Sequence, residues 1–402
     1  MITSLAPKRT PPSKSKALAS AETRIAQFVE AYMTDESGLL YSHLHAETLK
    51  PWTNELMQGF CLQHMYKNHP RPEQNLSYED SLMATGEYAC AQIARFQATA
   101  EPLALVTAAR AVGAITQVQY QGSHHMPGHL PKPFGGVRGA RDSHEISPDQ
   151  YVKSVVAMRA FQPYAPEAMK ATIDRYLVDI ADYFVARDFV HHHRENKIVS
   201  PESRVHCIAL YIPLLHLAAN ITGDQGYLDH LDRFDSALDR VLVDAELAND
   251  NILSLFLEGF HLAIQEGATD PRLKLGIRRI WEITAETVLE NGLIHRTPGG
   301  TAHTSRSLLL AARATIVEQY HPEVDAISLA WKLLDQQQDP REMKYVISEG
   351  DEAIHAMVPI DFRSICETSV TSWLLAYWRL VCREKMSGGP SLPADRLRDH
   401  AA

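Results

Sequence analysis

Hydrophobic positions along this chain recur with the 3.6-residue period of a helix through most of its length. The periodic segments come in pairs joined by a short turn marked by Gly, Asp or Pro, as between "CIALYIPLLHLAANITGD" and "QGYLDHLDRFDSALDRVL". The first member of a pair is apolar nearly all round, and the second carries a charged stripe. A helix that is apolar on every side is buried, whereas a charged stripe faces water. Each pair therefore predicts a hairpin of one inner and one outer helix.

Six inner helices can be placed in this way. Their predicted starts lie near Asp80, Asp149, Glu202, Asp250, Ser305 and Glu367. Outer helices follow the first five, near residues 101, 165, 225, 270 and 321. The segment "AETRIAQFVEAYMTD" near the N-terminus can supply the sixth by closing a ring. Because strand-like alternation is nearly absent, the pattern predicts an all-α protein, an (α/α)6 toroid of six helical hairpins.

A single domain, residues 21–385, accounts for the hairpins, because no linker-like stretch divides it. Residues 1–20 are rich in Ser, Lys and Pro and predict a disordered tail, and residues 386–402 predict a flexible C-terminal tail. The first tail lacks the continuous apolar core of a signal peptide. No run of about 18 apolar residues occurs, so no membrane-spanning helix is expected.

Composition narrows the possible partners. The chain has 402 residues, 45% of them apolar and 22% charged, and its net charge is -10. Binding of duplex nucleic acid or of an anionic membrane needs a basic face, so neither partner is expected. Five scattered cysteines without a CxxC pair predict a reducing, cytoplasmic location and no structural zinc. The sequence leaves the oligomeric state open.

Two segments carry a resemblance to a known superfamily. "YEDSLMATGEYACAQIARFQATAEPLALVTAAR" has an acidic start, small residues and then a turn, and in "SPDQYVKSVVAMRAF" an aspartate opens a helix. Together with the hairpin rhythm, they resemble the six-hairpin glycosidase-like superfamily. That superfamily includes unsaturated glucuronyl and rhamnogalacturonyl hydrolases, sugar epimerases and lyases. The resemblance points to no single family and implies a sugar or oligosaccharide substrate in a funnel lined by inner-helix starts. No nucleotide-binding loop occurs, and no cofactor is expected.

Hydrolysis of a glycosidic bond in an acidic oligosaccharide is the leading expectation from this resemblance. Asp149 lies where the resembling hydrolases place a general acid or base, a role that needs a carboxylate at a cleft. A glycosidase needs a second carboxylate, for which Asp80, its neighbour Glu79, and Glu367 are the candidates. A purely structural interpretation is also open. Ser147 and Gln150 form a capping box, and Asp149 then only favours the helix dipole.

Further residues in or near the predicted funnel could bind the sugar. Arginines would grip a substrate carboxylate bidentately, histidines would contact hydroxyls, and a tryptophan would stack on a pyranose ring. The candidates are Arg138, Arg141, Arg306, His125, His144, His303 and Trp52. The spacing of His124, His125 and His129 could suit a metal, but no helix fixes their faces and no metal site is predicted.

Other functions stay open at this point. Asp250, Ser254 and Glu258 share one helix face, and this resembles the second magnesium motif of class I terpene synthases, although the aspartate-rich motif of that family is missing upstream. A non-enzymatic helical binding scaffold would instead show a flat or apolar patch. The sequence does not separate hydrolase, epimerase and lyase, but an epimerase would depend on His303 more than on Asp149.

Overall fold

The computed structural model describes residues 12–57, 71–192, 198–201, 204–243, 250–288, 290, 292, 294–295, 302–303, 306–343 and 364–388. The α-helices in these ranges are α1 (Pro12–Phe28), α2 (Asn54–Met57), α3 (Pro72–Tyr78), α4 (Ser81–Thr99), α5 (Pro102–Gly122), α6 (Pro148–Phe161), α7 (Glu167–Val185), α8 (Ile208–Thr222), α9 (Asp235–Val243), α10 (Asp250–Gln265), α11 (Pro271–Ala285), α12 (Arg306–Ala311), α13 (Ala314–Tyr320), α14 (Ala326–Gln336) and α15 (Glu367–Gly388). A π-helical turn, Val29–Met33, extends α1. The 3-10 helices are Val137–Asp142, Gln162–Tyr164, Val205–Cys207, Gln225–Phe234 and Pro340–Glu342.

Six inner segments form a closed ring, in which α4, α6, α8, α10, α12 and α15 each pack against the next and α15 packs against α4. Helices α5, α7, α9, α11 and α14 lie outside this ring, and α1 takes the sixth outer place against α14 and α15. The fifth inner segment is split, because α12 ends at Ala311 and α13 begins at Ala314, with Arg313 buried at the break. The predicted (α/α)6 toroid is confirmed, including its closure by the N-terminal helix.

The inner helices are predominantly apolar on every side because each is surrounded by protein, and their few charged side chains pair with one another. The segment Val205–Thr222 is long and apolar enough to cross a membrane, but 83% of it is buried inside the protein as an inner segment. Gly259 on α10 lets this segment approach closely, since a Cβ there would lie 2.0 Å from the carbonyl oxygen of Ala209. Gly86 on α4 has the same role towards α6, where a Cβ would lie 2.6 Å from the carbonyl oxygen of Lys153.

Both predicted tails need correction. Helix α1 begins at Pro12, so the prediction of a disordered tail is wrong for residues 12–20, and Leu18 and Ala21 are buried against the toroid. Helix α15 continues to Gly388, past the predicted domain end at residue 385. Residues 1–11 and 389–402 lie outside the described part of the chain.

Short strands in the loops between the helices pair with one another in antiparallel fashion. They are β1 (His43–His45), β2 (Lys50–Pro51), β3 (His191–His192), β4 (Ile198–Val199), β5 (Ile294–His295), β6 (Ala302–His303) and β7 (Ser364–Cys366). The pairs are β1 with β2 and β7, β3 with β4, and β5 with β6. His43 lies opposite Cys366, and β7 leads directly into α15. The first strand therefore ties the N-terminal segment to the start of the sixth inner helix.

Candidate active site at the amino-terminal mouth

The starts of the inner helices form one mouth of the toroid. Because each outer helix brings the chain back, successive inner helices run in the same direction and their starts meet on one face. Asp80 is the N-cap residue of α4, and Ser147 is that of α6. Glu367 is the first residue of α15 and lies beside the N-terminal segment through the pairing of β7 with β1. The predicted catalytic positions share this face, although the side chain of Glu367 lies outside the described residues.

Gln150 joins two inner helices at this mouth. Its Nε2 donates to Oδ1 of Asp80 at 3.1 Å, and its Oε1 accepts the backbone N–H of Leu82 at 3.1 Å. The backbone N–H of Asp80 donates to Oγ of Ser42 at 2.6 Å. Because Gln150 is fully buried, these bonds fix both the start of α4 and the orientation of the Asp80 carboxylate.

Asp149 is half-buried and directly precedes Gln150. Its Oδ1 accepts hydrogen bonds from the hydroxyl of Ser147 and, at 3.0 Å, from the backbone N–H of Gln150. The predicted capping box is wrong in its contacts, because Ser147 bonds to Asp149 instead of a backbone amide and Gln150 reaches across to α4. Oδ2 of Asp149 makes no hydrogen bond within the described chain. Asp149 thus contacts its own helix through one oxygen and keeps the other for a further partner.

Lys132 is a buried cation at the mouth that the sequence analysis missed. It is 3% exposed, and its Nζ lies 3.3 Å from Oε1 of Glu79 and 3.3 Å from Oε1 of Glu145. Burial alone would lower the pKa of this ammonium, but four carboxylates outweigh it and raise the pKa above its usual range. In order of influence they belong to Glu79, Asp80, Glu145 and Asp149. Four carboxylates around one ammonium leave this part of the mouth negative.

The loop over residues 129–147 borders the mouth and carries two arginines. Gly135 and Gly136 have φ angles of 82° and 83°, a left-handed conformation that favours glycine. The turn that they form leads into the 3-10 helix Val137–Asp142. Arg138 and Arg141 on this helix are exposed, and neither forms an ion pair with a described residue. Their guanidinium groups are therefore available to an anionic ligand.

Three histidines pack together beside this loop. Nε2 of His125 lies 2.6 Å from the carbonyl oxygen of Arg141, and the ring centroids of His125 and His144 are 4.3 Å apart. Burial lowers the pKa of His129 to about 4, so its imidazole is neutral at pH 7. No group of three His, Cys, Asp or Glu side chains in the described ranges could hold a metal ion. His125 and His144 are exposed and can contact a ligand at the edge of the mouth.

The remaining predicted binding residues have different outcomes. Trp52 is 3% exposed and packs edge-on against His45, with ring centroids 5.0 Å apart. The prediction that Trp52 stacks on a sugar is wrong, because a buried indole presents no free face. His303 pairs through its backbone with Ile294, and Arg306 begins α12, but both side chains lie outside the described residues.

A buried ionic cluster crosses the toroid below the mouth. We call it the central belt and define it as Glu87, Lys153, Glu258, Arg313 and Arg379. Nζ of Lys153 lies 3.1 Å from Oε1 of Glu87 and 2.8 Å from Oε2 of Glu258. Arg313 pairs with both of these carboxylates, and Nη1 of Arg379 lies 3.3 Å from Oε1 of Glu258. Five of the six inner segments each contribute one residue, so the belt fills the axis.

The central belt overturns the terpene-synthase hypothesis. Burial would raise the pKa of Glu258, but Arg313, Lys153 and Arg379 outweigh it and lower this pKa. The carboxylate is therefore neutralised by cations of the protein, whereas the hypothesis needs it as a magnesium ligand. Ser254 is buried on the same helix, and the side chain of Asp250 lies outside the described residues.

Solved structures with the same architecture support the fold. An unsaturated glucuronyl hydrolase specific for heparin superposes with a TM-score of 0.56 at 8% identity, covering 92% of this chain and 98% of its own. Unsaturated glucuronyl hydrolase from Bacillus sp. GL1, described as responsible for the degradation of glycosaminoglycan, has a TM-score of 0.55 at 14% identity, covering 93% and 97%. A sugar epimerase from a ruminal bacterium has a TM-score of 0.54 at 9% identity, covering 94% and 100%.

The sequence comparisons give no closer assignment. No protein-family model matches the chain, and no curated protein matches it significantly. At these identities the structural likeness establishes the fold. The likeness in fold to unsaturated glucuronyl hydrolases and a sugar epimerase is thereby confirmed, and no single family is assigned.

Proposed function

We propose that this protein is a carbohydrate-active enzyme that hydrolyses a glycosidic bond in an acidic oligosaccharide at the amino-terminal mouth. One observation carries the proposal: Asp80 and Asp149 begin neighbouring inner helices at the same mouth and are linked through Gln150. Glycosidic hydrolysis uses a pair of carboxylates on either side of the scissile bond. Asp149 is the acid or base in this proposal, and Asp80 or Glu367 is its partner.

The charge distribution at the mouth supports this chemistry. Bond cleavage passes through an oxocarbenium-like transition state, in which positive charge develops on the sugar ring. The carboxylates around Lys132 form a fixed negative environment, which stabilises a developing positive charge. Lys132 and Gln150 hold that environment in place before the substrate arrives, so little reorganisation is needed during the reaction.

An acidic sugar fits the outer part of the mouth. Arg138 and Arg141 are exposed beside the negative cluster and can bind a substrate carboxylate bidentately. In this arrangement the acid group of the substrate lies at the arginines and its scissile bond lies at the aspartates. Two structural neighbours are named as glucuronyl hydrolases, one of them specific for heparin, and their substrates carry such an acid group.

The test is hydrolysis of uronic-acid disaccharides by the purified protein and by the Asp149→Asn variant. The panel contains unsaturated and saturated uronates of the heparin type, together with matched neutral disaccharides. We expect kcat on the preferred uronate to fall at least ~100-fold in Asp149→Asn, because a positioned acid or base contributes about that factor. Asp142→Asn, at an exposed acid of the loop that precedes α6, is the matched control and should keep full activity.

Equal activity of Asp149→Asn and the unaltered protein would overturn the assignment. The alternative outcome is that the protein inverts a stereocentre of a free sugar without cleaving a glycosidic bond. If His303→Ala abolishes that activity and Asp149→Asn does not, the proposed activity becomes epimerisation. A preference for neutral disaccharides would remove Arg138 and Arg141 from substrate recognition.

We also propose that the protein works in the cytoplasm, without nucleic-acid or membrane partners. Cys90 and Cys207 are buried free thiols, and Cys382 is a further free thiol, which suits a reducing compartment. The net charge of -10 supports the absence of a polyanionic partner.

A further inference from the structure

We propose a second binding site, for a small organic carboxylate, in a cavity at the end of the toroid opposite the amino-terminal mouth. The cavity has a volume of about 450 Å³ and lies between the later parts of α4, α6 and α10, with α13 and α15 closing it. Its lining includes Gln97, Arg159, Glu258, His261, Ile316 and Arg379. None of these residues belongs to the mouth, and the central belt separates the two regions.

The central belt borders this cavity and carries an excess of positive charge. It contains three cations and two carboxylates, so its net charge is +1, and two of its members, Glu258 and Arg379, line the cavity. Glu87, Lys153, Glu258 and Arg313 are each at most 3% exposed. A surplus charge in so dry a place is costly, and a bound anion would lower that cost.

Arg379 is the belt cation that the cavity exposes. Its side chain is 20% exposed, and its Nη1 donates to Oε1 of Glu258 at 3.3 Å and to the carbonyl oxygen of Ala312 at 2.7 Å. The other N–H groups of this guanidinium make no hydrogen bond within the described ranges. They leave one edge of the guanidinium for a carboxylate.

Arg159 lines the same cavity but is already paired with a carboxylate of the protein. Its Nε and Nη2 donate to the two carboxylate oxygens of Glu266 at 2.6 and 3.3 Å, and its Nη1 donates to Oε1 of Gln162 at 2.6 Å. Glu266 also accepts a hydrogen bond from Asn220 at 3.0 Å. This neutral pair forms part of the wall, and Arg379 remains the anion receptor.

The remaining walls favour an organic anion over an inorganic one. Ile93, Val156, Leu262 and Ile316 provide apolar surface. His261 also lines the cavity, and burial lowers its pKa to about 4, so it adds no charge at pH 7. A carboxylate with a short apolar body can place its charge on the guanidinium and its carbon atoms against these walls.

The helix termini at this end do not cancel the attraction. The carboxyl ends of α4 and α6 carry partial negative charge, but that effect falls off within the last turn of a helix. Arg379 lies well inside α15, which ends at Gly388, and Glu258 lies in the middle of α10. The anion would therefore bind at mid-helix depth, beyond the reach of those termini.

Titration calorimetry and thermal-shift assays on the full chain test the site. The ligands are sodium acetate and sodium propanoate, and sodium chloride at equal ionic strength is the control. We expect one saturable carboxylate site, tighter for propanoate than for acetate and absent for chloride. Arg379→Gln should weaken binding at least ~10-fold, since it removes the charged hydrogen bonds that would hold the carboxylate. Arg383→Gln, one turn later on the same helix and paired with Glu318, is the matched control and should bind normally.

A second variant keeps every charge in place. Ala160→Phe fills the cavity from its partly exposed wall, and it should abolish carboxylate binding even if Arg379→Gln does not fold. Arg138→Gln and Arg141→Gln, at the amino-terminal mouth, should leave it unchanged. The second site would be overturned if carboxylate binding is not saturable or if chloride binds equally well. It would also be overturned if the mouth variants abolish carboxylate binding while neither cavity variant does. None of these results depends on hydrolytic activity.

Discussion

At the scale of single residues, Lys132 allows several carboxylates to share one mouth. Its ammonium lies 3.3 Å from a carboxylate oxygen of both Glu79 and Glu145, and Asp80 and Asp149 act on it from further away. Removing one partner of a buried ionic group leaves the others uncompensated, which costs more than the lost contact itself. The residue therefore organises the site without having to touch a substrate.

Lys132→Met should lower the free energy of unfolding at pH 7 by about 3–5 kcal/mol, the usual cost of breaking a buried ion pair. Urea unfolding of the variant and of the unaltered protein at pH 7 measures this deficit. Lys332→Met, at an exposed lysine, should change stability by less than ~0.5 kcal/mol. A deficit no larger than that of Lys332→Met would show that the carboxylates do not depend on Lys132 for their stability.

The aspartates of the mouth could be predicted from the sequence, but their neighbours could not. Asp80 and Asp149 stand at helix starts, which local patterns mark well. Lys132 lies between two prolines in "LPKPF", where no periodicity shows that a side chain is buried. Gln150 fits a capping box locally, but its amide reaches Asp80, 70 residues away in the chain, and this long-range bond prevails.

At the scale of elements, α1 completes the outer layer. Its buried positions Leu18, Ala21 and Ile25 follow helical spacing, and Trp378 on α15 donates from Nε1 to Oε1 of Glu22 at 3.1 Å. The Ser-, Lys- and Pro-rich composition of residues 1–20 concealed the start of this helix. Composition reports average polarity, whereas burial depends on where the few apolar residues lie.

Leu18→Ala tests whether α1 is part of the domain. A disordered tail would tolerate the change, whereas a packed helix should lose about 2–5 kcal/mol in the free energy of unfolding. Urea denaturation followed by circular dichroism measures the difference. Lys16→Ala, at an exposed position on the same helix, serves as the control. If the two variants are equally stable, α1 adds little to the toroid.

The hairpin pattern predicted the ring, but not the break within its fifth inner segment. The run "LLLAARATIV" has the composition of one continuous buried helix. Arg313 in this run is fully buried and pairs with Glu87, 226 residues away. A local pattern contains no information about so distant a partner. Neither the central belt nor the break between α12 and α13 could therefore be predicted from the sequence.

At the scale of the whole molecule, buried histidines couple stability to pH. Burial lowers the pKa of His129 and of His261 to about 4 from an ordinary value of 6.5. Between these values the unfolded chain binds protons that the folded chain does not, so stability is full above pH 6.5 and is lost as the pH falls towards 4. The slope should approach about 1.4 kcal/mol per pH unit for each histidine.

Equilibrium unfolding in urea between pH 7 and pH 4.5 measures this slope. The double variant His129→Gln and His261→Gln should flatten it, since glutamine does not titrate. His230→Gln is a control, because His230 lies on the surface segment before α9. An unchanged slope in the double variant would assign the acid sensitivity to the carboxylates instead.

The central belt also determines what kind of polymer the mouth could accept. With five inner segments meeting on the axis through side chains that are nearly all fully buried, the funnel is blind at its lower end. A long chain entering there has no exit and cannot be threaded through the ring. A chain can therefore enter the funnel only by one of its ends, unless it lies across the mouth without entering. If the proposed hydrolysis takes place inside the funnel, it would be exo-acting and would remove one terminal unit at a time from a longer chain.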